Sequence, residues 1–219
     1  MSEVAADGGT TTPPVGMTSQ TVYERLVREI LAGERRAGET LHDRELALEL
    51  GISRTPVREA IQLLRQLGIV ETSANRYTRI VRLGPQDVER CARIFVELYR
   101  EAAVELIRAD RVPMAAMEQH YLAAVEAART GALAEFWPCV FAIHDELLHR
   151  CRNPHLVRTL RGVAVVLRVA VVTNAAMLDP AEVLRANRTI LDSIATRDPQ
   201  LGRRGAAMFL RIGAELAAG

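Results

Sequence analysis

The chain has 219 residues, of which 49% are hydrophobic, 25% charged and 4% aromatic, with a formal charge of +1. At about 100 to 200 residues per domain this makes one large or two small domains, and the balance excludes a disordered, collagen-like or membrane-spanning chain. Three cysteines (Cys91, Cys139, Cys151) with no C-x-x-C pair argue against a disulfide framework, a zinc knuckle and a redox motif, so core thiols in a reducing interior are expected.

Met1 to Met17 is rich in Gly, Thr and Pro and has no charged-then-apolar leader, which predicts a flexible tail over 1–17 and a cytoplasmic protein. From Thr18 to Leu31 the residues Val22, Tyr23, Leu26, Val27, Ile30 and Leu31 recur at helical spacing until Gly33 stops them. After the turn Glu34 to Thr40, Leu46, Ala47 and Leu50 predict a short second helix that Gly51 closes in a left-handed cap. Ser53 is placed to cap a third helix, whose first turn accepts Pro56 and whose buried side is Ala60, Ile61, Leu64 and Leu67. Gly68 ends it. Ile69 to Thr72 and Tyr77 to Val81 then read as a hairpin turned at Ser73 to Arg76, where Asn75 tolerates positive φ. A helix-turn-helix with a wing is the result.

All the basic residues are Arg, and six of them (54, 58, 65, 76, 79, 82) face only Glu59 and Glu71 between Arg54 and Arg82. Such a basic stripe on a near-neutral chain is the footprint expected for a polyanion. From Gly84 onward the apolar spacing is helical, and breakers at Arg111-Val112-Pro113, Thr130-Gly131, Asn153-Pro154, Asp179-Pro180 and Asp198-Pro199 divide it into about six helices. The run Val163 to Val172, interrupted only by Arg168, suits a strand as well as a helix and is too short to cross a bilayer. Helix is preferred, because a lone strand in a helical bundle leaves its amides unpaired.

Two stretches carry family resemblances. Ser53-Arg54-Thr55-Pro56-Val57-Arg58-Glu59-Ala60, with Arg44-Glu45-Leu46-Ala47 and Leu67-Gly68-Ile69-Val70, resembles the winged helix of GntR-type bacterial transcription regulators over roughly Gln20 to Val81, departing from it at His42, where a Ser cap is common, and at Asn75, where Gly is common. Arg93-x-x-Val96-Glu97, Ile143-His144-x-x-Leu147 with Asn153-Pro154, and Asn187 to Ile194 with Asp198 resemble the FCD ligand-sensing domain of the FadR-like subfamily. The implied fold is mainly α: a winged helix-turn-helix over 18–82 and an all-helical effector-binding and dimerisation bundle over 85–217, hinged near Arg82-Leu83-Gly84-Pro85.

The resemblance implies DNA contacts at Arg44, Ser53, Arg54, Thr55 and Arg58, with Thr72, Asn75 and Arg76 of the wing against the backbone or minor groove. Arg54 and Arg58 are the expected base readers, since a planar guanidinium can bond O6 and N7 of one guanine together. A module this small reads operators in pairs, so a homodimer on a palindromic site is expected. FCD domains commonly bind a divalent metal through one Asp and three His. Here the Asp position falls on Val140, the first His is kept as His144, the second falls on Asn187 and the third near Phe209. One imidazole and an amide do not make a four-ligand site, so no metal and no cofactor are expected. Asp145 and His149 share i,i+4 spacing, which more often marks a solvated surface pair than a ligand set.

A small-molecule effector is then expected in a largely apolar cavity with Arg93, His144 and Asn187 as its polar groups, Arg93 being equally suited to an intrahelical pair with Glu97. The expected function is an effector-modulated transcriptional repressor without enzymatic activity. Two alternatives stand beside it: a constitutive dimeric DNA-binding protein, and an enzyme with an appended DNA module using His144-Asp145-Glu146 or His149. The last lacks a convergent pair, since neighbours on a helix point about 100° apart.

Overall fold

The computed structural model describes residues 18–73, 77–109 and 112–218. The expected tail over 1–17 and the wing residues Asn75 and Arg76 lie outside them. The chain runs α1 (Ser19–Leu31), α2 (Asp43–Leu50), α3 (Arg54–Gln66), β1 (Val70–Ser73), β2 (Tyr77–Ile80), then α4 (Pro85–Arg108), α5 (Ala115–Thr130), α6 (Leu133–Arg150), α7 (Pro154–Thr173), α8 (Pro180–Ala195) and α9 (Pro199–Ala218).

Helix α1 begins where the Thr18 hydroxyl accepts from the Thr21 amide at 3.2 Å, satisfying one of the orphan donors of the first turn. Gly51 closes α2 in the left-handed region at φ 65°, a conformation that Gly adopts without steric cost. Strands β1 and β2 pair antiparallel, with Val70 opposite Ile80 and Ser73 opposite Tyr77, one residue displaced from the expected span. The α1–α2 connection lies along β2: Gly38 donates to Ile80 O, and Leu41 to Thr78 O. Val22, Leu26, Leu46, Val57, Leu64, Ile69 and Ile80 form the buried centre of this unit. A partly exposed ion cluster braces its outside, where Arg35 bonds Glu29 and Glu49 and Arg25 bonds Glu29. Burial pushes the Glu29 carboxyl up, but hydrogen bonds from Arg25 and Arg35 outweigh it and hold its pKa below the ordinary carboxylate value.

In the bundle, prolines occupy the first turns of α4, α7 and α8, where the missing N–H has no intrahelical partner to lose. Asn153 and Asp179 cap α7 and α8 through their side chains. Pro138 lies inside α6, which continues through it. Gly205 and Gly213 let α9 approach closely: a Cβ at Gly205 would stand 2.7 Å from the Ile190 side chain, and one at Gly213 3.3 Å from the Glu89 backbone. The three cysteines are free thiols and only half-buried, not core residues as expected. Among the described residues no helix is long and apolar enough to cross a membrane.

The valine-rich stretch is helix α7, and its reason for being apolar all round is now visible. Val165, Val166 and Val169 pack into the core of the winged helix, while Ala164, Leu167, Arg168 and Val171 line a cavity in the bundle. The linker is clasped to the same helix: the Asn174 side chain donates to Leu83 O at 3.0 Å and to Ala170 O at 2.7 Å. The expected hinge is therefore tied down at Leu83.

Candidate functional site

Two regions carry the chemistry. The first is the outer face of α3. Ser53 precedes it in extended geometry and makes no side-chain cap, contrary to expectation, so its hydroxyl stands exposed beside Arg54 and Thr55. Arg44 is also exposed, across the turn. Arg54 is 59% exposed and donates through Nη2 to both Asp43 oxygens, at 3.1 and 2.9 Å. Arg58, 72% exposed, reaches the same carboxylate only at 3.9 Å. Asp43 opens α2, where the helix N-terminus favours an anion, and it orients both guanidinium groups. Sequence reasoning missed it because residues eleven and fifteen positions apart meet only through the turn.

Arg58 continues along α3 to Gln62 and Arg65, and these face the wing across an open groove that also takes in His42, Thr72 and Tyr77. Arg65 donates to the Thr72 hydroxyl at 3.4 Å, and the Arg79 guanidinium lies 4.3 Å over the Tyr77 ring. His42 precedes α2 without a side-chain cap. Arg44, Ser53, Arg54, Thr55, Arg58 and Thr72 thus lie on exposed surface of one unit, with Arg65 added as a cation the sequence reading did not assign a contact.

The second region is a cavity of about 80 Å³ lined by α4, α6, α7, α8 and α9. Val140, His144 and Phe209 line it as expected. Arg93 and Glu97 do not. Arg93 is 74% exposed and pairs with Glu89 one turn back, and Glu97 pairs with Arg100 on the outside of α4. The i+4 spacing named Glu97 as partner, but the i−4 neighbour on the other side competes equally and won. Asn187 is buried without lining the cavity, and its amide donates back to Val183 O at 2.9 Å. Asp145 does not pair with His149 but with Arg168 of α7, at 2.6 Å. The cavity's polar groups are accordingly Arg168, His144 and Trp137 in a wall of Val, Ala, Leu and Phe.

His144 is 8% exposed, wedged against the rings of Phe95, Tyr99 and Phe209 at centroid distances of 5.0 to 5.7 Å. Its Nδ1 and the Trp137 Nε1 are buried without a hydrogen-bond partner among the described residues. The metal test is decided by these donors: Val140 and Phe209 supply no ligand atom, the Asn187 amide is turned to its own helix, and among the described residues no three His, Cys, Asp or Glu side chains converge. The residues do not fit the metal of metal-bearing FCD domains.

Burial, reinforced by the Arg168 charge, pushes the His144 imidazole down to about 3. The unfolded chain protonates this group below its ordinary value of about 6.5, so between there and about 3 the unfolded state binds more protons and stability is lost as the pH is lowered. Thermal melts are expected to show a loss on the order of 2 kcal/mol from this residue by pH 5, absent in His144→Leu. Equal pH slopes for the two proteins count against a neutral buried imidazole.

Residues 18–80 match bacterial regulatory proteins of the gntR family, and residues 91–211 match the FCD domain. The chain is 28% identical over 184 residues to the "Probable D-xylose utilization operon transcriptional repressor" of Paenarthrobacter nicotinovorans, covering 82% of this chain and 80% of that one. It is 26% identical over 217 residues to the Glc operon transcriptional activator of Escherichia coli (strain K12), covering 88% and 85%. Among solved structures, E. coli McbR/YncC superposes with a TM-score of 0.75 at 20% identity over 93% of this chain and 98% of that chain. A GntR structure from Rhodococcus sp. RHA1 gives 0.73 at 18% identity over 92% and 98%. At these identities the structures show a shared fold.

Proposed function

The chain belongs to the gntR family of bacterial transcriptional regulators, in the branch with an FCD domain, and on that premise we propose that a small molecule held in the bundle cavity changes its grip on an operator. The observation that carries this is the double face of α7, which lines the cavity with Ala164, Leu167, Arg168 and Val171 and enters the winged-helix core with Val169. A ligand that fits one placement of α7 better than another shifts the winged helix with it, and only such differential affinity shifts the equilibrium.

DNA is read by the exposed start of α3, with Arg54 and Arg58 against base edges, Arg44, Ser53 and Thr55 beside them, and Arg65 and Thr72 toward the phosphates. Two copies of the chain read two half-sites of a palindromic operator, because one such module buries too little surface for operator specificity. Repression is the simplest output, since a dimer seated on a promoter blocks it without contacting polymerase; the Paenarthrobacter relative is named a repressor and the E. coli one an activator. No metal and no catalytic step is involved: His144 is buried among aromatic rings, while Asp145 and His149 lie on exposed surface.

In vitro selection of duplexes with the full chain is expected to return a palindromic site. A thermal-shift screen of metabolites should then yield a stabiliser that changes affinity for that site at least fivefold. Indifference to duplex sequence contradicts the reading, as does a set of cavity ligands that leave DNA affinity unchanged.

A further inference from the structure

We infer that His42 is a proton-carrying phosphate contact, so that the chain takes up a proton at each half-site when it binds DNA. This rests on the DNA reading above and adds to it a residue and a pH dependence. In a helix-turn-helix the first helix crosses the sugar-phosphate backbone while the second enters the major groove, and His42 stands at the start of that first helix, α2. The positive end of the α2 dipole points the same way.

The groove between α3 and the wing has Arg58, Gln62 and Arg65 on one side, Thr72 and Tyr77 on the other and His42 at the start of α2. Each of these side chains can donate a hydrogen bond, and a phosphodiester only accepts them. The His42 ring is exposed, does not cap α2 and has no hydrogen-bond or ion-pair partner among the described residues. The charged and titratable groups that share the groove with it are Asp43 on α2, Arg58 and Arg65 on α3 and Tyr77 on β2. Asp43 is held by Arg54 at 2.9 Å and lies 3.9 Å from Arg58, so its charge is already matched. A phosphate is then the anion that a protonated imidazole meets on binding, and a nearby anion favours the charged form. Histidine is the side chain whose charge changes between pH 5 and 8, whereas the Ser common at this position in the family has no such charge. The complex binds more protons than its separate parts, so affinity rises as the pH is lowered.

His42 is the one histidine between residues 18 and 82; His120, His144, His149 and His155 lie in the bundle. The test measures binding of the full-length protein to the selected operator and to a scrambled duplex by anisotropy, at pH 6, 7 and 8 and fixed ionic strength. Affinity for both duplexes is expected to rise at least fivefold from pH 8 to pH 6, since a phosphate contact is blind to sequence. The dependence of affinity on salt is expected to steepen over the same range by about one counterion per module. His42→Gln is expected to flatten both trends, and His42→Arg to keep at pH 8 the salt dependence that the wild type has at pH 6. Equal wild-type affinity at pH 6 and pH 8 overturns the contact while leaving a DNA reader in place, as does a pH dependence that persists in His42→Gln. Absence of binding to every duplex at all three pH values overturns the reader itself, and the contact with it. The pH and salt trends are measured on the wild-type chain, so they decide even where a variant fails to fold.

Discussion

Arg58→Ala is expected to weaken binding to the selected operator by about 1 to 3 kcal/mol, roughly five- to 150-fold, and to relax discrimination at one base pair of each half-site. Arg58 is more available than Arg54: it is 72% exposed against 59%, and its ion pair with Asp43 spans 3.9 Å. An exposed pair of that length is worth little, so the guanidinium turns to a base at small cost. Arg54 starts from two hydrogen bonds to the same carboxylate and gives up more to do so. Asp43→Asn separates the roles. If Asp43 positions the readers, its loss broadens sequence preference while raising general DNA affinity, because an anion near the phosphates is removed. Anisotropy titrations on specific and scrambled duplexes check both. An equal loss for Arg58→Ala on every sequence makes it a phosphate contact.

The second large effect belongs to α7. Val169→Ala removes packing between the cavity helix and the winged-helix core while touching neither DNA nor the cavity wall. Coupling between two sites is typically 1 to 3 kcal/mol, and this substitution is expected to cut it to below about 0.5 kcal/mol. Ligand affinity and ligand-free operator affinity should each move less than threefold. Asn174→Ala is a companion, since it removes the side-chain hydrogen bond to the half-buried Leu83 carbonyl and frees the linker. Retention of full coupling in both variants means the signal does not pass through α7.

Much of this architecture is legible in the residues. The apolar spacing of α1 to α3, the left-handed glycines and the proline-started helices are local properties, and each is written within about ten residues. That the positions the resemblance assigns to a metal do not suit one is legible too, because Val140 and Phe209 cannot donate electron pairs to an ion. The cavity's polar groups were misassigned for a different reason. Arg93 was placed by its motif, yet on α4 it faces outward to Glu89, whereas Arg168 lies in a valine run whose two burial partners belong to different domains. Nothing in the run itself tells which of its faces meets a cavity. Asp43, likewise, acquires its role only when the turn between α2 and α3 brings it to Arg54 and Arg58.

The most direct measurement follows operator affinity in wild type and Val169→Ala while the cavity is filled with a compound that quenches Trp137. A change of at least fivefold in the wild type, shrinking below about twofold in the variant, is the predicted outcome. A filled cavity with unaltered operator affinity in the wild-type protein would contradict a ligand-governed DNA reader.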